Sequence, residues 1–314
     1  LGRLDPDNFL GGEMGLDVAA ATKVVQGLAD SLGMSLAEAA SGIITIVNNN
    51  MANAIRSRTV QKGIDPRDYS LVAFGGAGPL HGAEVARILS IPEVIVPPYP
   101  GITSAVGLLT SDLKYETIQT GFHVSGQTDL DRVNADYRHM ADGLGAQFAA
   151  DGIAAADVAF ERAADIRYVG QGYELRVEVP AGTIDEGALD SVYEAFHRQH
   201  EAEYGHCFRD SPIEIVNLRL AGTADVPKIG RPAVRSGGSV EEARVKTAPA
   251  TFRIGAELAQ YDTGFYRRDL LPVGQAVPGP AIVLQTDSTT VVPPDCTVTA
   301  EANGNLIIKV GGAS

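Results

Sequence analysis

The sequence has no tryptophan and only two cysteines, Cys207 and Cys296, among its 314 residues. Neither cysteine has a second one nearby in CxxC spacing, so the chain cannot form a disulfide framework. A reducing cytoplasm is therefore the expected location. The chain begins with Leu1 rather than methionine, and we expect it to be a processed or truncated piece.

Positive charge is also scarce. Lysine and arginine total 25 against 39 acidic residues, which gives a net charge of −14, and there is no basic run. Nucleic acid and anionic membrane surfaces are bound by clustered Lys and Arg, so neither is expected as a partner. No apolar stretch approaches the roughly 20 residues that cross a bilayer, and the first residues do not have the pattern of a signal peptide.

The composition that remains is that of a folded protein, with 45% hydrophobic and 20% charged residues. Its length suffices for two domains with separate cores. Helical patterns and a βαβ unit dominate the first part of the chain, whereas strand patterns dominate after Glu116. We therefore place the domain boundary near Thr120, which gives domains 1–120 and 121–314.

The first domain opens with a helical pattern from Asp17 to about Gly63. Ser35 and Glu38 have the spacing of a capping box, in which a hydroxyl and a carboxylate satisfy open backbone donors. An apolar stripe at spacings of three or four follows, consisting of Leu36, Ala40, Ile43, Val47, Met51 and Ile55. Gly63 is expected to end the helical region.

A βαβ unit comes next. The apolar run Ser70–Phe74 has the length of a strand, a helix is expected from about Pro79, and a second strand follows in Glu93–Pro98. Two strands joined by a helix within about 30 residues indicate a parallel pair.

Between the first strand and its helix lie Gly75, Gly76 and Gly78. Glycine permits positive φ and lets a ligand lie against the backbone, and the following helix N-terminus has unpaired N–H groups. The spacing GGxGP is neither GxGxxG nor a Walker A loop. A ligand site at the end of a parallel strand and a tight, empty turn are both compatible with this pattern.

The second domain is expected to be rich in strands. Helical patterns cover about Thr128–Ala150 and Asp185–Glu203, and Tyr173–Pro180 alternates as a strand that is solvated on one face. Residues Arg231–Arg244 form a polar, glycine-containing connection that we expect to be a mobile loop.

Other candidate site residues can also be explained without a function in ligand binding. Asn49, Asn53 and Arg56 share one helical face, which is more typical of a solvated surface than of a ligand site. His81, just inside the helix after the glycines, could approach a ligand or serve packing.

A second set of candidates lies in the later part of the chain. His197, His200 and His206 could bind zinc, but His200 continues an apolar stripe and is better explained as a packed, hydrogen-bonded side chain. The GQGYE segment (Gly170–Glu174) is interpreted as a turn. There is no GxSxG elbow, and neither cysteine lies in a pattern that would activate it, so no nucleophile is assigned.

Several long segments resemble the C-terminal half of hydantoinase A-type subunits. That family includes ATP-dependent N-methylhydantoinases, 5-oxoprolinases and subunits of acetone and acetophenone carboxylases. The resemblance lies in the strings NMANAIRSRTVQKGIDPRDY, LVAFGGAGPLHG, IPEVIVPPYPGITSAVGLL, ADIRYVGQGYELRVEVP, HEAEYGHCFRDSPIEIVNLRL and GPAIVLQTDSTTVVPP. These strings are spread along the chain from Asn50 to Pro294, so the resemblance extends over essentially the whole chain.

The resemblance implies an α/β fold: the C-terminal half of an actin- and sugar-kinase-like (ribonuclease-H-like) ATPase, followed by a β-rich α+β domain. It also implies that the glycine turn, Gly75, Gly76, Ala77 and Gly78, lines the purine and ribose of ATP. Further nucleotide contacts are expected from His81, Asn50 and Arg56.

By the same resemblance, ATP with Mg²⁺ or Mn²⁺ phosphorylates the oxygen of a cyclic amide (a lactam or imide) or of an enolised ketone. A hydantoinase B-like subunit then completes hydrolysis or carboxylation. No DxGGT-like phosphate-binding turn precedes Gly75. The N-terminal half of the ATPase fold is therefore expected from the same gene product or a separate chain, and the isolated chain is expected to be inactive. The alternatives are a non-catalytic nucleotide-binding regulatory or assembly subunit, and a structural module with an empty turn.

Overall fold

The structure is a computed structural model that describes residues 1–228 and 237–311. The helices of these ranges are α1 (Val18–Leu32), α2 (Leu36–Arg58), α3 (Gly78–Ile88), α4 (Thr103–Thr110), α5 (Leu130–Ala150), α6 (Glu186–Tyr204) and α7 (Val240–Ala243). The strands are β1 (Leu71–Val72), β2 (Glu93–Val96), β3 (Leu113–Val124), β4 (Val158–Tyr168), β5 (Leu175–Val179), β6 (Ile213–Ala224), β7 (Arg244–Ile254), β8 (Glu257–Arg267), β9 (Ala276–Pro278), β10 (Ala281–Gln285), β11 (Ser288–Val292), β12 (Thr297–Ala300) and β13 (Leu306–Lys309).

These elements form two compact units. Residues 1–109 and 237–311 make up one, called here the discontinuous unit, and residues 110–228 make up the other, the inserted unit. This division differs from the single domain boundary that we expected near Thr120. The reason is that the strands at the end of the chain pack in the same unit as its first 109 residues. The cause is long-range pairing: β13 lies antiparallel to β2, with Leu306 opposite Val96 and Lys309 opposite Glu93.

The predicted βαβ unit is confirmed. β1 and β2 are parallel, with Leu71 opposite Val94 and Val72 opposite Ile95, and α3 connects them. β1 is shorter than the predicted run Ser70–Phe74. The sheet is mixed rather than purely parallel, with the order β1-β2-β13-β12-β9.

A second sheet of the discontinuous unit has the order β11-β10-β8-β7. The hydrophobic cores of the unit are built mainly from small aliphatic side chains. Their large, fully buried members are Phe252, Phe265, Ile282, Leu306 and Ile308.

The helical region at the start of the chain is divided into α1 and α2 by Gly33, which has φ +66°. The capping box is present: Glu38 N donates to Ser35 Oγ over 3.2 Å, and Ser35 N donates to Glu38 Oε2 over 2.8 Å. Among the described helices, none alone is long and apolar enough to cross a bilayer. The segments Val18–Leu32 and Leu36–Lys62 meet that criterion only as a pair bent by 94°.

The inserted unit has one sheet with the order β3-β6-β4-β5. α5 and α6 contribute core residues such as Tyr137 and Phe196, which pack with Ile166 and Leu218 of the strands. These helices agree with the expected ranges 128–150 and 185–203. Of the expected mobile loop, Arg231–Ser236 lies outside the described residues, and Val240–Ala243 is a short helix.

α3 packs closely on the parallel strands because Gly82 has no side chain. A Cβ at this position would lie 2.9 Å from Ala73 Cβ and 3.1 Å from Val94 Cγ1. Such contacts force a shift of helix or strand. The close seating of α3, and with it the position of the turn that precedes it, therefore depends on glycine here.

We predict that Gly82→Ala destabilises the discontinuous unit by about 1–3 kcal/mol, because the added methyl overpacks the helix–sheet contact. The measurement is the urea unfolding midpoint. The matched control is Gly42→Ala in α2, where a Cβ meets nothing within 4 Å; it is expected to be neutral or stabilising by up to about 1 kcal/mol. Equal midpoints for the two variants would contradict the prediction.

Candidate functional site

The glycine turn, residues 75–78, leaves the end of β1 and leads into α3. Gly75 has φ +85°, a conformation that a side chain strongly disfavours, and its N–H donates to Pro100 O over 2.7 Å. Pro79 lies in the first turn of α3, and the N-cap residue Ala77 makes no side-chain hydrogen bond to the helix. The open N–H groups of this helix start therefore face the same end of the sheet as the turn.

Gly76 and Gly78 differ from Gly75 in that neither has positive φ. A Cβ at Gly76 would meet only Asp287 O, at 3.8 Å, and one at Gly78 only Ala73 C, at 3.6 Å, which are ordinary contacts. At Gly75 a Cβ would meet nothing within 4 Å. The conformation of the turn thus explains glycine at one position only, and no described side chain lies within 4 Å of a Cβ placed at any of the three glycines.

A turn of the second sheet lies against the glycine turn. Ser288 Oγ donates to Gly76 O over 3.1 Å, and Gly101 N donates to Asp287 Oδ2 over 2.8 Å. The sequence analysis did not single out Asp287 and Ser288, which lie within the string GPAIVLQTDSTTVVPP. The available signal was the polar TDST stretch, which interrupts two apolar runs.

His81 belongs to a partly buried polar network rather than standing alone. Its Nδ1 lies 2.7 Å from Asn48 Oδ1, Asn48 Nδ2 donates to Glu84 Oε2 over 2.5 Å, and Arg3 Nη1 donates to Glu84 Oε1 over 2.8 Å. Burial lowers the pKa of His81; the nearby Glu84 opposes this shift and Arg3 adds to it. Asn48, Glu84 and Arg3 were not identified from sequence, since they come from three separate segments.

The other candidates on α2 have local partners. Asn49 Nδ2 donates to Thr45 O over 2.8 Å. Arg56 donates to Asn53 Oδ1 over 2.9 Å and to Ile88 O over 3.2 Å, which ties α2 to the end of α3. Asn50 is exposed. A role for Asn50 or Arg56 in nucleotide binding stays a prediction.

The three later histidines are engaged in packing and hydrogen bonds. His197 Nδ1 lies 2.7 Å from Tyr168 OH, and the same hydroxyl accepts a hydrogen bond from Phe208 N over 2.8 Å. His200 Nδ1 lies 2.7 Å from His206 O, and its Nε2 lies 3.0 Å from Gln171 Nε2. Within 1–228 and 237–311, no group of three or more His, Cys, Asp or Glu side chains could hold a metal ion.

The GQGYE segment forms the turn between β4 and β5, as expected. Gly170 has φ +91°, and Gln171 Oε1 accepts a hydrogen bond from Tyr168 N over 3.2 Å. Through its contact with His200, Gln171 also fixes this turn to α6. The buried thiol of Cys296 has a raised pKa because of its burial, which agrees with the absence of an assigned nucleophile.

We predict that acidification destabilises the inserted unit partly through His197. Burial, with a contribution from Arg209, lowers its pKa in the folded state, whereas Glu194 raises it. The imidazole's contribution is therefore fully present above the unfolded pKa of about 6.5 and is lost as pH falls towards the lower folded value. Urea unfolding as a function of pH should show a shallower acid loss in His197→Gln than in the parent. An unchanged slope would contradict this assignment.

We predict that Glu84→Ala destabilises the discontinuous unit by about 3 kcal/mol, because it leaves the guanidinium of Arg3, only 6% exposed, without its carboxylate. The control is Arg67→Ala, which removes an exposed pair with Asp65 and should cost less than about 1 kcal/mol. Thermal or urea unfolding measures both. Equal losses for the two variants would show that the buried pair contributes no more than a surface pair.

Comparison with known proteins agrees with the resemblance read from the sequence. Residues 1–117 match the family model described as hydantoinase/oxoprolinase, and residues 125–307 match its hydantoinase/oxoprolinase C-terminal domain. The chain belongs to the hydantoinase/oxoprolinase family. A curated family member, caprolactamase subunit alpha of Pseudomonas jessenii, is 28% identical over 99% of this chain and 45% of its own length.

Two solved structures share the fold. Nucleotide-free acetone carboxylase superposes with a TM-score of 0.79 at 24% identity, covering 98% of this chain and 45% of that one. The ATP-dependent caprolactamase of P. jessenii superposes with a TM-score of 0.77 at 28% identity, covering 99% and 45%. The mixed α/β fold is confirmed, and the chain spans less than half the length of these relatives.

Proposed function

We propose that this chain is the adenosine-binding part of an ATP-dependent subunit of the hydantoinase/oxoprolinase type. The observation that carries the proposal is at Gly76 and Gly78. Neither the backbone conformation nor the packing among the described residues requires glycine there, because φ is not positive and a Cβ would make only ordinary contacts, at 3.8 Å and 3.6 Å. A flat base lying against bare backbone accounts for both glycines, because a Cβ would project into the space it occupies.

The location of the turn supports the same conclusion. It lies at the carboxyl end of β1 and at the N-terminus of α3, where α/β proteins commonly bind small ligands. Gly75, Gly76, Ala77 and Gly78 would contact the purine and ribose. His81, one turn into α3, would lie next to the ligand. We retain Asn50 and Arg56 as more distant members of the predicted site.

The reaction proposed for the whole enzyme follows from its relatives, which include an ATP-dependent caprolactamase and an enzyme of ATP-dependent acetone carboxylation. The γ-phosphoryl group of ATP passes to the oxygen of a lactam, imide or enolised ketone, and ADP leaves. Phosphorylation makes an amide carbon electrophilic or traps the enol, so that hydrolysis or carboxylation can follow. A hydantoinase B-like partner subunit completes that second step.

The phosphates and their Mg²⁺ or Mn²⁺ are assigned to polypeptide other than these residues. Phosphoryl transfer needs groups that hold the phosphates and the cation. Among the described residues no group of three or more His, Cys, Asp or Glu side chains could hold a metal ion, and no step of the proposal uses a metal held by them. The role of this chain is to bind and orient adenosine.

We predict that Gly76→Val weakens adenosine and ADP binding by at least about tenfold, equivalent to 1.4 kcal/mol, because the branched side chain occupies the space of the base. Both ligands should bind the unmodified chain with similar affinity if the phosphates are held elsewhere. The measurement is a titration followed through the backbone amide signals of residues 75–78.

The control for this experiment is Gly143→Val, an exposed site in the inserted unit where a Cβ meets nothing within 4 Å. It should leave both affinities unchanged. Thermal unfolding of each variant shows whether the fold is retained. Equal binding by Gly76→Val and the parent, or no binding by the parent, would overturn the proposed function.

A further inference from the structure

The turn between β10 and β11, residues Gln285–Ser288, is called here the QTDS turn. It is tight, because Gln285 and Ser288 are paired opposite each other across the two antiparallel strands. It follows the glycine turn by about 210 residues in sequence. Nothing in the proposed chemistry assigns it a role.

Three of the four side chains of the QTDS turn hydrogen-bond to the two segments next to the proposed adenosine site. These segments are the glycine turn and the loop of residues 98–101. Gln285 Nε2 donates to Pro98 O over 2.7 Å, Asp287 Oδ2 accepts from Gly101 N over 2.8 Å, and Ser288 Oγ donates to Gly76 O over 3.1 Å. The loop of residues 98–101 in turn accepts the N–H of Gly75 at Pro100 O. The QTDS turn thus contacts the glycine turn directly and through a second loop.

A half-buried arginine, Arg268, also holds the QTDS turn. Arg268 donates to Gln285 Oε1 over 2.8 Å, to Val96 O over 3.0 Å and to Gly304 O over 2.8 Å. Burial lowers the pKa of Arg268 to about 10, and the nearby Asp287 opposes this shift, so the guanidinium remains charged at neutral pH. Its hydrogen bonds link β10 to the end of β2 and to the turn that precedes β13.

Asp287 also lies so close to the loop of residues 98–101 that a side chain would not fit at residue 101. A Cβ at Gly101 would lie 2.5 Å from Asp287 O and 2.8 Å from Asp287 Oδ2. The backbone of residue 101 can therefore reach the carboxylate only as glycine. The match between a glycine in one segment and an acidic turn in another indicates a specific fit rather than a chance surface contact.

We propose that the QTDS turn is a positioning element for adenosine binding: Asp287 and Ser288 hold the glycine turn in its open, binding-ready geometry. The effect on the nucleotide rests on the proposed function, whereas the effect on the loops does not. A turn held in the bound geometry before the ligand arrives loses less conformational freedom on binding. Asp287 and Ser288 act through the glycine turn and are not themselves ligands of the nucleotide.

The test compares Asp287→Ala, Asp287→Asn and Ser288→Ala in the 314-residue chain. The first readout is amide hydrogen exchange of Gly75 and Gly101 without ligand. Asp287→Ala should raise both exchange rates about tenfold, because Gly101 loses its acceptor. Asp287→Asn keeps a side-chain oxygen and should change them by about threefold or less.

The second readout is the affinity for ADP. It should fall about tenfold in Asp287→Ala, by a smaller factor in Ser288→Ala and least in Asp287→Asn. Thr286→Ala, an exposed site in the same turn, is the control and should leave both readouts unchanged.

Three outcomes would overturn the proposal. Unchanged exchange at Gly75 and Gly101 in Asp287→Ala would show that the turn does not hold the loops. Faster exchange with unchanged ADP affinity would show that holding them does not serve binding. An Asp287→Asn variant that loses affinity as strongly as Asp287→Ala, with exchange near that of the parent, would make Asp287 a direct ligand. If the parent chain binds no ADP, the proposed function fails, while exchange still decides whether the loops are held.

Discussion

The central constraint is a glycine-rich stretch of backbone, held at the end of a short parallel strand pair. β1 has only two residues, yet it is placed by its parallel register with β2 and by α3, which Gly82 allows to pack closely. The chain must then turn through positive φ at Gly75 before α3 begins. This geometry exposes peptide groups and a helix N-terminus at one place.

The local part of this arrangement could be predicted from sequence. The capping box at Ser35, the strand–helix–strand order and the glycines at the turn all depend on residues close together in the chain, and the structure contains each of them. Pairings between distant segments could not be predicted in this way. The antiparallel register of β13 with β2 and the contact of Asp287 with Gly101 have no local signal, because each joins segments about 190 to 210 residues apart.

The lack of a local signal for long-range contacts also affects the candidate residues on α2. Asn49, Asn53 and Arg56 share a helical face, as predicted, but their hydrogen bonds are to neighbouring groups of α2 and to the end of α3. The residue of this helix that meets His81 is Asn48, on the buried side. Helical periodicity correctly placed Asn49, Asn53 and Arg56 on one face of α2. It could not show which face of α2 packs against other segments of the chain.

The most direct test of the account is photolabelling with 8-azido-ATP of the enzyme as purified from its source, followed by mapping of the labelled peptides in this chain. A bare glycine turn that contacts adenine predicts labelling within residues 74–81 and its loss when excess ADP competes. Competable labelling confined to other parts of the chain, with none at residues 74–81, would contradict the claim that this turn receives the base.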